Sequence, residues 1–323
     1  MTEASGSLAR TLCRKHPTTA TNALARILHK DHPKVYPTHD SARQAVRYHR
    51  GERNGGHGKS PSATPRKPAL PDSASKRRNV VAVEGKTITL VLCDAHIPYH
   101  DNAALEAAID GGEFYGADTV LLGGDWGDFY RCSHYERDPE TRRLKEELQD
   151  NQDSLAYLRY RFPKARIIYR AGNHEHRLVA YMRYHAEELL GIADYQIPTL
   201  LHLDDHGIEY VDEYTPIRFG SHLTFLHGNE YGGGAGSPVS PARGLMLKAK
   251  SCGMCGHFHR SSEQVDRSIE GHQLATWSVG CLCDLHPEYA SQNQWNHGHA
   301  IVETDAGGGF KVRNFRSQDG KVY

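Results

Sequence analysis

The chain has 323 residues, a formal net charge of zero and 38% hydrophobic residues, enough for one large domain and a smaller one. It contains no apolar stretch of the roughly 20 residues that span a membrane, and its N-terminus lacks the apolar segment of a secretory signal. The seven cysteines are odd in number and scattered, which favours a reducing compartment over a disulfide framework. We therefore expect a cytoplasmic protein that does not bind membranes.

Charge is distributed unevenly along the chain. Residues 1–80 carry 16 Lys+Arg and 5 Asp+Glu, whereas residues 81–323 carry 23 and 34. This asymmetry predicts a basic module that binds polyanions, joined to an acidic body. The alternative is a basic tail that only keeps the protein in solution.

Residues 1–50 predict three short helices, at about 8–15, 19–30 and 38–51. Arg43, Arg47 and Arg50 fall at i, i+4 and i+7 of the third helix and therefore share one face. Three helices with such a stripe resemble a helix-turn-helix module, in which these arginines would contact nucleic acid. A solvated charged face would give the same pattern.

Residues 51–79 are rich in Gly, Pro, Ser and basic residues and have almost no apolar content. Such a composition is typical of a flexible linker. It separates the helical module, residues 1–50, from a domain that we expect to occupy residues 80–323.

From residue 80 onward, short apolar runs alternate with helical patterns. This alternation predicts an α/β layered sheet, followed by a more antiparallel second half. The first half contains predicted strands near 87–94, 117–125 and 165–175, and predicted helices near 102–115, 144–162 and 176–191. Strand-like segments of the second half lie near 222–230, 251–260, 272–282 and 299–305.

Polar side chains follow the apolar runs. In chain order they are Asp94 and His96, Asp125 and Asp128, Asn173 and His174, His227, and His257 and His259. In open α/β sheets the ends of the strands form the site, so these side chains are expected to meet. Two residues spaced by one on an extended segment point to the same side, which would bring each His-containing pair together. Carboxylate, amide and imidazole donors in one place indicate a metal site.

The ordered set D-x-H, G-D-x-x-D, G-N-H-E, H and G-H-x-H resembles the signature of the calcineurin-like metallophosphoesterase superfamily, over roughly residues 88–260. The resemblance implies a four-layer α/β/β/α sandwich with two divalent metal ions. Mn²⁺ is favoured, and Zn²⁺, Fe²⁺, Mg²⁺ and Ni²⁺ are alternatives. A small helical module, a linker and such a domain together look similar to phage or prophage proteins.

The resemblance also implies roles for individual residues. One metal would be held by Asp94, His96 and His259, and the other by Asn173, His227 and His257. Asp125 would bridge the two ions. His174 looks like the catalytic residue that contacts the phosphate and assists the leaving oxygen. Asp128 would orient His174 or a metal ligand.

The sequence departs from one branch of this superfamily. Protein Ser/Thr phosphatases carry arginines that grip the phosphate where this chain has Phe129 and Ala171. That difference argues against a protein phosphatase. Arg131 and Arg170 are near in sequence and are hypothetical substitutes. Trp295 is either a base-stacking residue or an aromatic of the core or rim.

The resulting prediction is a metallophosphoesterase that hydrolyses phosphoester bonds in nucleic acid by means of a metal-bridging hydroxide. It would be a phosphodiesterase, a nuclease or an end phosphatase. One alternative is a phosphoesterase for nucleotides or other small molecules whose N-terminal module only recruits it. Another is a DNA-binding regulator whose phosphoesterase scaffold is catalytically idle.

Overall fold

The computed structural model describes residues 3–52, 70–75, 79–135, 138, 143–231, 239–287, 290 and 292–323. The chain divides into two units, Met1–Ser75 and Lys76–Tyr323. Most of the linker predicted at 51–79 lies outside the described residues, so its flexibility stays a prediction. Among the described helices, none is long and apolar enough to cross a membrane.

The first unit consists of the helices α1 (Glu3–Lys15), α2 (Thr21–Asp31) and α3 (His39–His49). They surround a small core in which Leu24 and Leu28 of α2 pack with Ala42 and Val46 of α3. Helix α3 begins with a capping box, in which the Thr38 side chain accepts a bond of 3.1 Å from the backbone N–H of Ser41. The predicted all-α module is therefore confirmed.

The three arginines at the C-terminal side of α3 have different surroundings. Arg43 is exposed, and Arg47 donates to the carbonyl oxygen of Glu52 at 2.9 Å. Arg50 donates to the Thr21 hydroxyl at 3.1 Å and to the carbonyl oxygens of His16 and Thr19. Its guanidinium therefore ties the end of α3 to the α1–α2 turn, and binding a phosphate would compete with these bonds. Nucleic-acid binding by the stripe stays a prediction.

The second unit contains two β-sheets. Its strands are β1 (Val81–Val83), β2 (Thr87–Leu92), β3 (Thr119–Leu122), β4 (Arg166–Arg170), β5 (Ile208–Val211), β6 (Ile217–Phe219), β7 (Leu223–Leu226), β8 (Gly253–Cys255), β9 (Ser262–Arg267), β10 (Gln273–Ser278), β11 (His297–Thr304), β12 (Phe310–Gln318) and β13 (Lys321–Val322). One sheet has the order β13-β12-β11-β2-β3-β4-β5, and β2 to β5 run parallel. The other has the order β1-β6-β7-β8-β10-β9.

Helices cover the outer faces of both sheets. The helices are α4 (Asn102–Tyr115), α5 (Leu144–Arg161), α6 (Asn173–His185), the short α7 (Ile197–Leu200) and α8 (Pro241–Ala249). Helices α4, α5 and α6 pack on the seven-stranded sheet, and α8 packs on the six-stranded sheet, where Thr276 donates to the Ala242 carbonyl oxygen at 2.7 Å. The order of layers is α/β/β/α, which confirms the predicted sandwich.

Strand β2 shows why the layers form. Its side chains alternate between faces, so Leu90 and Leu92 enter the core beneath the helices, whereas Val91 enters the core between the sheets with Phe219 and Phe225. Both faces are buried over residues 89–92, which accounts for the apolar run at residues 90–92. At about 25 cal/mol per Å² of apolar surface, this two-sided burial stabilises the central strands more than the edge strands.

The sequence analysis missed strands β1, β5, β6, β9, β12 and β13. Four of them, β1, β5, β9 and β13, are the edge strands of the two sheets. Strand β9, with the sequence SEQVDR, is polar and mostly exposed, and it forms because it pairs with β10. The helix predicted at 176–191 ends at His185, because the chain then continues into a 3₁₀ turn.

One buried histidine outside the predicted site should make stability depend on pH. His299 on β11 is fully buried, stacks on Phe315 and, among the described residues, has no hydrogen-bond partner at either ring nitrogen. Burial lowers its pKa to about 4. The unfolded ring protonates near pH 6.5, so the free energy of unfolding should fall by up to about 3 kcal/mol between pH 6.5 and 4.

Denaturant unfolding of His299→Leu, with chelator present throughout, tests this linkage. The free energy of unfolding of the variant should lack the decrease that protonation of His299 causes at acid pH. The difference in this free energy between the variant and the wild type should therefore shift in favour of the variant as the pH falls. His272→Leu, at an exposed turn, serves as the control and should keep the wild-type slope. Parallel pH profiles for the wild type and His299→Leu would contradict the prediction.

Candidate metal centre

The predicted site side chains lie in loops at neighbouring strand ends. The loops after β2, β3 and β4 are adjacent because those strands are parallel neighbours, and β7 and β8 are parallel neighbours in the other sheet. Backbone bonds join the loops: the N–H of His96 donates to the carbonyl oxygen of Asp125 at 3.0 Å, and the N–H of Gly256 donates to that of His227 at 2.8 Å. The carboxyl ends of strands from both sheets therefore contribute to one site.

The backbone at the site is left-handed at five of the predicted ligands. The φ angles are 55° at Asp94, 50° at His96, 52° at Asp125, 66° at His257 and 53° at His259. Residues other than glycine rarely adopt such angles, which cluster at functional sites. The extended-segment argument for the two His-containing pairs was therefore wrong, because tight turns aim these side chains.

Two glycines allow the loops to approach closely. At Gly124, where φ is 108°, a Cβ atom would collide with the His227 ring. At Gly172 it would collide with the Asp125 carboxylate. Only a residue without a side chain lets the β3 and β4 loops pass at this distance.

The structure brings the predicted ligands into two groups that share Asp125. One group is Asp94, His96 and Asp125, and the other is Asp125, His227 and His257. Within each group the candidate ligand atoms lie within 4.8 Å of one another. His259 lies beside the first group, with its Nε2 3.2 Å from that of His96 and 3.4 Å from Asp94 Oδ1. Asp125 would be the ligand common to two ions if both groups bind one.

Several donor atoms at the site lack hydrogen-bond partners. Among the described residues, Asp94 Oδ1, Asn173 Oδ1 and His227 Nε2 are buried without a well-aligned hydrogen bond, although His259 Nε2 lies 3.4 Å from Asp94 Oδ1 and Asp125 Oδ2 lies 3.1 Å from His227 Nε2. Such atoms are costly to bury, because they lose their bonds to water and gain none in return. Two divalent cations, one at Asp94 and one at Asn173 and His227, would satisfy all three, so the residues present fit a metal centre. Their assignment as ligands stays a prediction.

Outer contacts orient the histidine rings. His227 Nδ1 lies 3.0 Å from the Gly123 carbonyl oxygen, and His96 Nδ1 lies 2.9 Å from Asp128 Oδ1. Each contact places a proton on Nδ1 and leaves Nε2 to face the site, as for metal-binding histidines in general. Asp128 therefore stands behind His96, which agrees with the orienting role expected of it.

The carboxylates and histidines perturb one another strongly. Burial alone would lower the pKa of His227 and His259, but Asp125 raises the former to about 9 and Asp94 raises the latter to about 10. Burial lowers the pKa of His257 to about 4. Imidazolium protons thus balance the buried carboxylates when no cation does. Since metal ligands must be deprotonated, binding of a metal ion would release these protons.

His174 forms a cluster with Asp128 and Arg177. Its Nδ1 lies 3.0 Å from both the carbonyl oxygen and Oδ1 of Asp128, and its Nε2 accepts a bond of 2.9 Å from Arg177 Nη2. Arg177 Nη1 also donates to the Asp128 carbonyl oxygen at 2.9 Å. The side chains of His174 and Arg177 are only partly buried, so both can reach a bound ligand.

Both arginines considered from the sequence donate hydrogen bonds to other groups of the protein. Arg170 is fully buried and donates to the carbonyl oxygens of Thr215 and Glu213 and to Glu230. Arg131 donates to the carbonyl oxygen of Asp138 at 3.0 Å. The sequence analysis missed Arg177, although its position four residues after Asn173 on α6 places both on one helix face.

Glu175 was also missed, although it follows Asn173 and His174 directly. Its carboxylate is buried and accepts bonds from the backbone N–H groups of Asp125 (3.0 Å), Trp126 (2.9 Å), Gly127 (3.2 Å) and Gly172 (2.7 Å), and from the Tyr169 hydroxyl (2.8 Å). Burial raises its pKa, and the amide donors oppose that shift. This side chain holds the β3 and β4 loops together.

Two residues border His259. Trp295 packs edge-on against its ring, with 4.1 Å between ring centroids. Cys283 Sγ lies 3.7 Å from its Nδ1. Trp295 is therefore an aromatic of the rim of the site, one of the alternatives that the sequence left open.

No family model matches the sequence, and no curated protein matches it. Distant likenesses exist among solved structures. Vacuolar protein sorting 29 from Cryptosporidium parvum has 13% identity and a TM-score of 0.40, with 74% of this chain and 96% of that chain covered. YfcE, a phosphoesterase from E. coli, has 12% sequence identity and a TM-score of 0.32, and the match covers 70% of this chain and 98% of that chain. Vps29 from Chaetomium thermophilum has 11% sequence identity and a TM-score of 0.32, and the match covers 71% of this chain and 96% of that chain.

Proposed function

We propose that this protein is a metallophosphoesterase of the calcineurin-like type that uses two divalent ions to hydrolyse phosphoester bonds in nucleic acid. The observation that carries the proposal is the set of buried donor atoms of Asp94, Asn173 and His227 that lack well-aligned hydrogen bonds and lie around the shared carboxylate of Asp125. Ordinary packing gives no reason to bury these atoms without partners, whereas a metal centre does.

Two ions held here would polarise the phosphoryl oxygens and lower the pKa of a bound water. The chain's own residues position the ester. Arg177 has a guanidinium that can turn from His174 to a phosphate oxygen and neutralise its charge. That movement frees Nε2 of His174, which can then take up a proton from solvent and pass it to the leaving oxygen, while Asp128 accepts the hydrogen bond from Nδ1–H.

The charge of the first unit supports nucleic acid as the substrate. Residues 1–80 carry 16 Lys+Arg against 5 Asp+Glu, whereas the rest of the chain is net negative, so a polyanion would be attracted to residues 1–80. Arg43 is exposed and Arg47 is partly exposed on α3, so both remain candidates for phosphate contacts. Mn²⁺ is the ion we propose for assays, given the mixed nitrogen and oxygen donors.

Hydrolysis of p-nitrophenyl phosphate and bis-p-nitrophenyl phosphate tests the proposed activity. We expect turnover with Mn²⁺, loss of turnover with chelator, and about two bound ions per chain by elemental analysis. The preferred ester would separate a phosphatase from a phosphodiesterase. Two bound ions without turnover of these esters or of oligonucleotides would contradict the proposal and favour an idle scaffold.

The salt dependence of oligonucleotide binding tests the role of the arginine stripe. The double variant Arg43→Glu and Arg47→Glu should weaken binding and reduce the slope of log K against log salt by about one to two. Arg50 is left unchanged because it supports the helical unit. Lys321→Glu is the control, because Lys321 is exposed on β13 and its substitution changes the charge by the same amount as one of the two arginine substitutions. An unchanged slope would favour a small-molecule substrate.

Arg177 should be needed for turnover more than for folding. Arg177→Met is expected to lower kcat/KM about 10- to 100-fold, because the phosphate loses a charge-assisted hydrogen-bond donor. Arg177→Lys should recover part of the loss, since it restores charge but not the fork geometry. Steady-state kinetics at saturating Mn²⁺ would measure both variants. Equal activity of Arg177→Met and the wild type would exclude this role.

A further inference from the structure

An open cleft adjoins the candidate metal centre. It has a volume of about 620 Å³, within the ~300–1,000 Å³ range of small-molecule sites. Its lining includes Asn173 and Arg177 at the end next to the metal centre, and Tyr181, Tyr184, His134 and Tyr135 farther away. The cleft therefore connects Asn173, a proposed metal ligand, and Arg177, a proposed phosphate ligand, with a group of aromatic rings.

Helix α6 forms one wall of this cleft. Asn173, Arg177, Tyr181 and Tyr184 are spaced by four, four and three residues, so they share one face of the helix. At 1.5 Å per residue, the wall runs about 16 Å from Asn173 to Tyr184. Stacked bases are 3.4 Å apart, so this length accommodates more than one base.

The rings along the cleft are accessible. Tyr181 is 38% exposed, Tyr184 is 80% exposed and Tyr135 is 68% exposed. Tyr181 packs beside His185 with 4.7 Å between ring centroids, and Tyr135 beside His134 with 4.0 Å. Isolated exposed tyrosines are common, but these rings line one cavity that begins at Arg177.

We propose that this cleft binds the nucleobase next to the scissile phosphate of a single-stranded nucleic acid. The phosphate lies at Asn173 and Arg177, and the base stacks on Tyr181 or Tyr184. A nucleotide matches both ends, because it joins an anion to a flat ring with a polar edge, and the cleft pairs a guanidinium with aromatic faces and imidazoles. The inference rests on the proposed phosphoesterase function and adds the substrate group that the site recognises.

A base-deletion cycle tests the cleft in the full-length protein with Mn²⁺. The substrate is a thymidine tetranucleotide, either intact or with one abasic tetrahydrofuran residue at a chosen position. For the wild type, kcat/KM should fall about tenfold when the base that flanks the cleaved phosphate is removed, the size expected for one lost stack. Tyr181→Leu should cause a similar loss with the intact substrate and a much smaller one with the abasic substrate.

Tyr160→Leu is the matched control, because Tyr160 is 79% exposed on α5 and lies outside the cleft. It should cleave the intact substrate like the wild type. Equal cleavage of intact and abasic substrates, with normal bis-p-nitrophenyl phosphate turnover, would overturn the proposal that the cleft binds a nucleobase. It would not contradict the proposed phosphoesterase activity. Equal losses for both substrates in Tyr181→Leu would also overturn it, since they would show a structural effect.

A binding measurement decides the inference if no phosphoester is hydrolysed, the outcome that contradicts the proposed activity. The probe is a single-stranded oligonucleotide that contains 2-aminopurine, mixed with the wild-type protein in chelator. Quenching of its fluorescence that is lost in Tyr181→Leu and kept in Tyr160→Leu would support base stacking in the cleft. Absence of quenching would overturn it.

Discussion

Asp125→Asn is expected to lower phosphoester hydrolysis by at least about a thousandfold, because this carboxylate belongs to both groups of candidate ligands. The amide that replaces it has no negative charge and only one oxygen, so it cannot serve two ions equally. The carboxylate also accepts the His174 backbone N–H at 2.8 Å and lies 3.1 Å from His227 Nε2. One substitution therefore affects both metal positions.

Elemental analysis together with kinetics separates the causes of this loss. Asp125→Asn should retain fewer than two ions per chain after gel filtration, whereas the wild type retains two. Asp266→Asn is the control, because Asp266 is exposed on β9 and, within the described part of the chain, its carboxylate accepts a single local bond, from the backbone N–H of Arg267. Two tightly held ions and normal turnover in Asp125→Asn would refute the shared-ligand arrangement.

Glu175→Gln should cause the largest loss of stability among single substitutions at the site. The carboxylate accepts four backbone N–H groups and one hydroxyl, and both of its oxygens are used. A glutamine has one accepting oxygen, and its NH₂ group would face at least two N–H donors in either orientation. Leaving buried donors unsatisfied should lower the free energy of unfolding by about 3 kcal/mol.

The same substitution should weaken metal binding about 10- to 100-fold, because Glu175 holds the loops that carry Asp125 and Asn173. Denaturant unfolding in chelator and Mn²⁺ titration measure the two effects separately. Glu146→Gln provides a matched control: Glu146 is exposed and, as far as the described residues go, accepts a single bond, from the Arg143 backbone N–H at the start of α5. It should lose less than about 1 kcal/mol. Equal stability of the two variants would contradict the prediction.

Much of the fold could be predicted because its central strands are buried on both faces. Strands β2, β3 and β4 are short apolar runs, and each is followed by acids, amides or imidazoles. The edge strands could not be predicted, since β9 is polar and depends on its pairing with β10 rather than on its own composition. The directions in which the site side chains point were also not predictable, because a left-handed backbone conformation is not expected at residues such as Asp94 or His257.

The sequence by itself determined the layered α/β class of fold, the separate helical module and the side chains that the structure gathers around Asp125, whereas the four-layer order was implied by the resemblance of its motifs to a known family. It did so because burial imposes a periodicity on strands and because polar residues at the ends of neighbouring strands meet. Only the tertiary structure decided that Arg170 is used internally, that Arg177 reaches His174 and that Glu175 fastens two loops. Those roles depend on which donors and acceptors lie opposite one another, and residues far apart in the chain determine that.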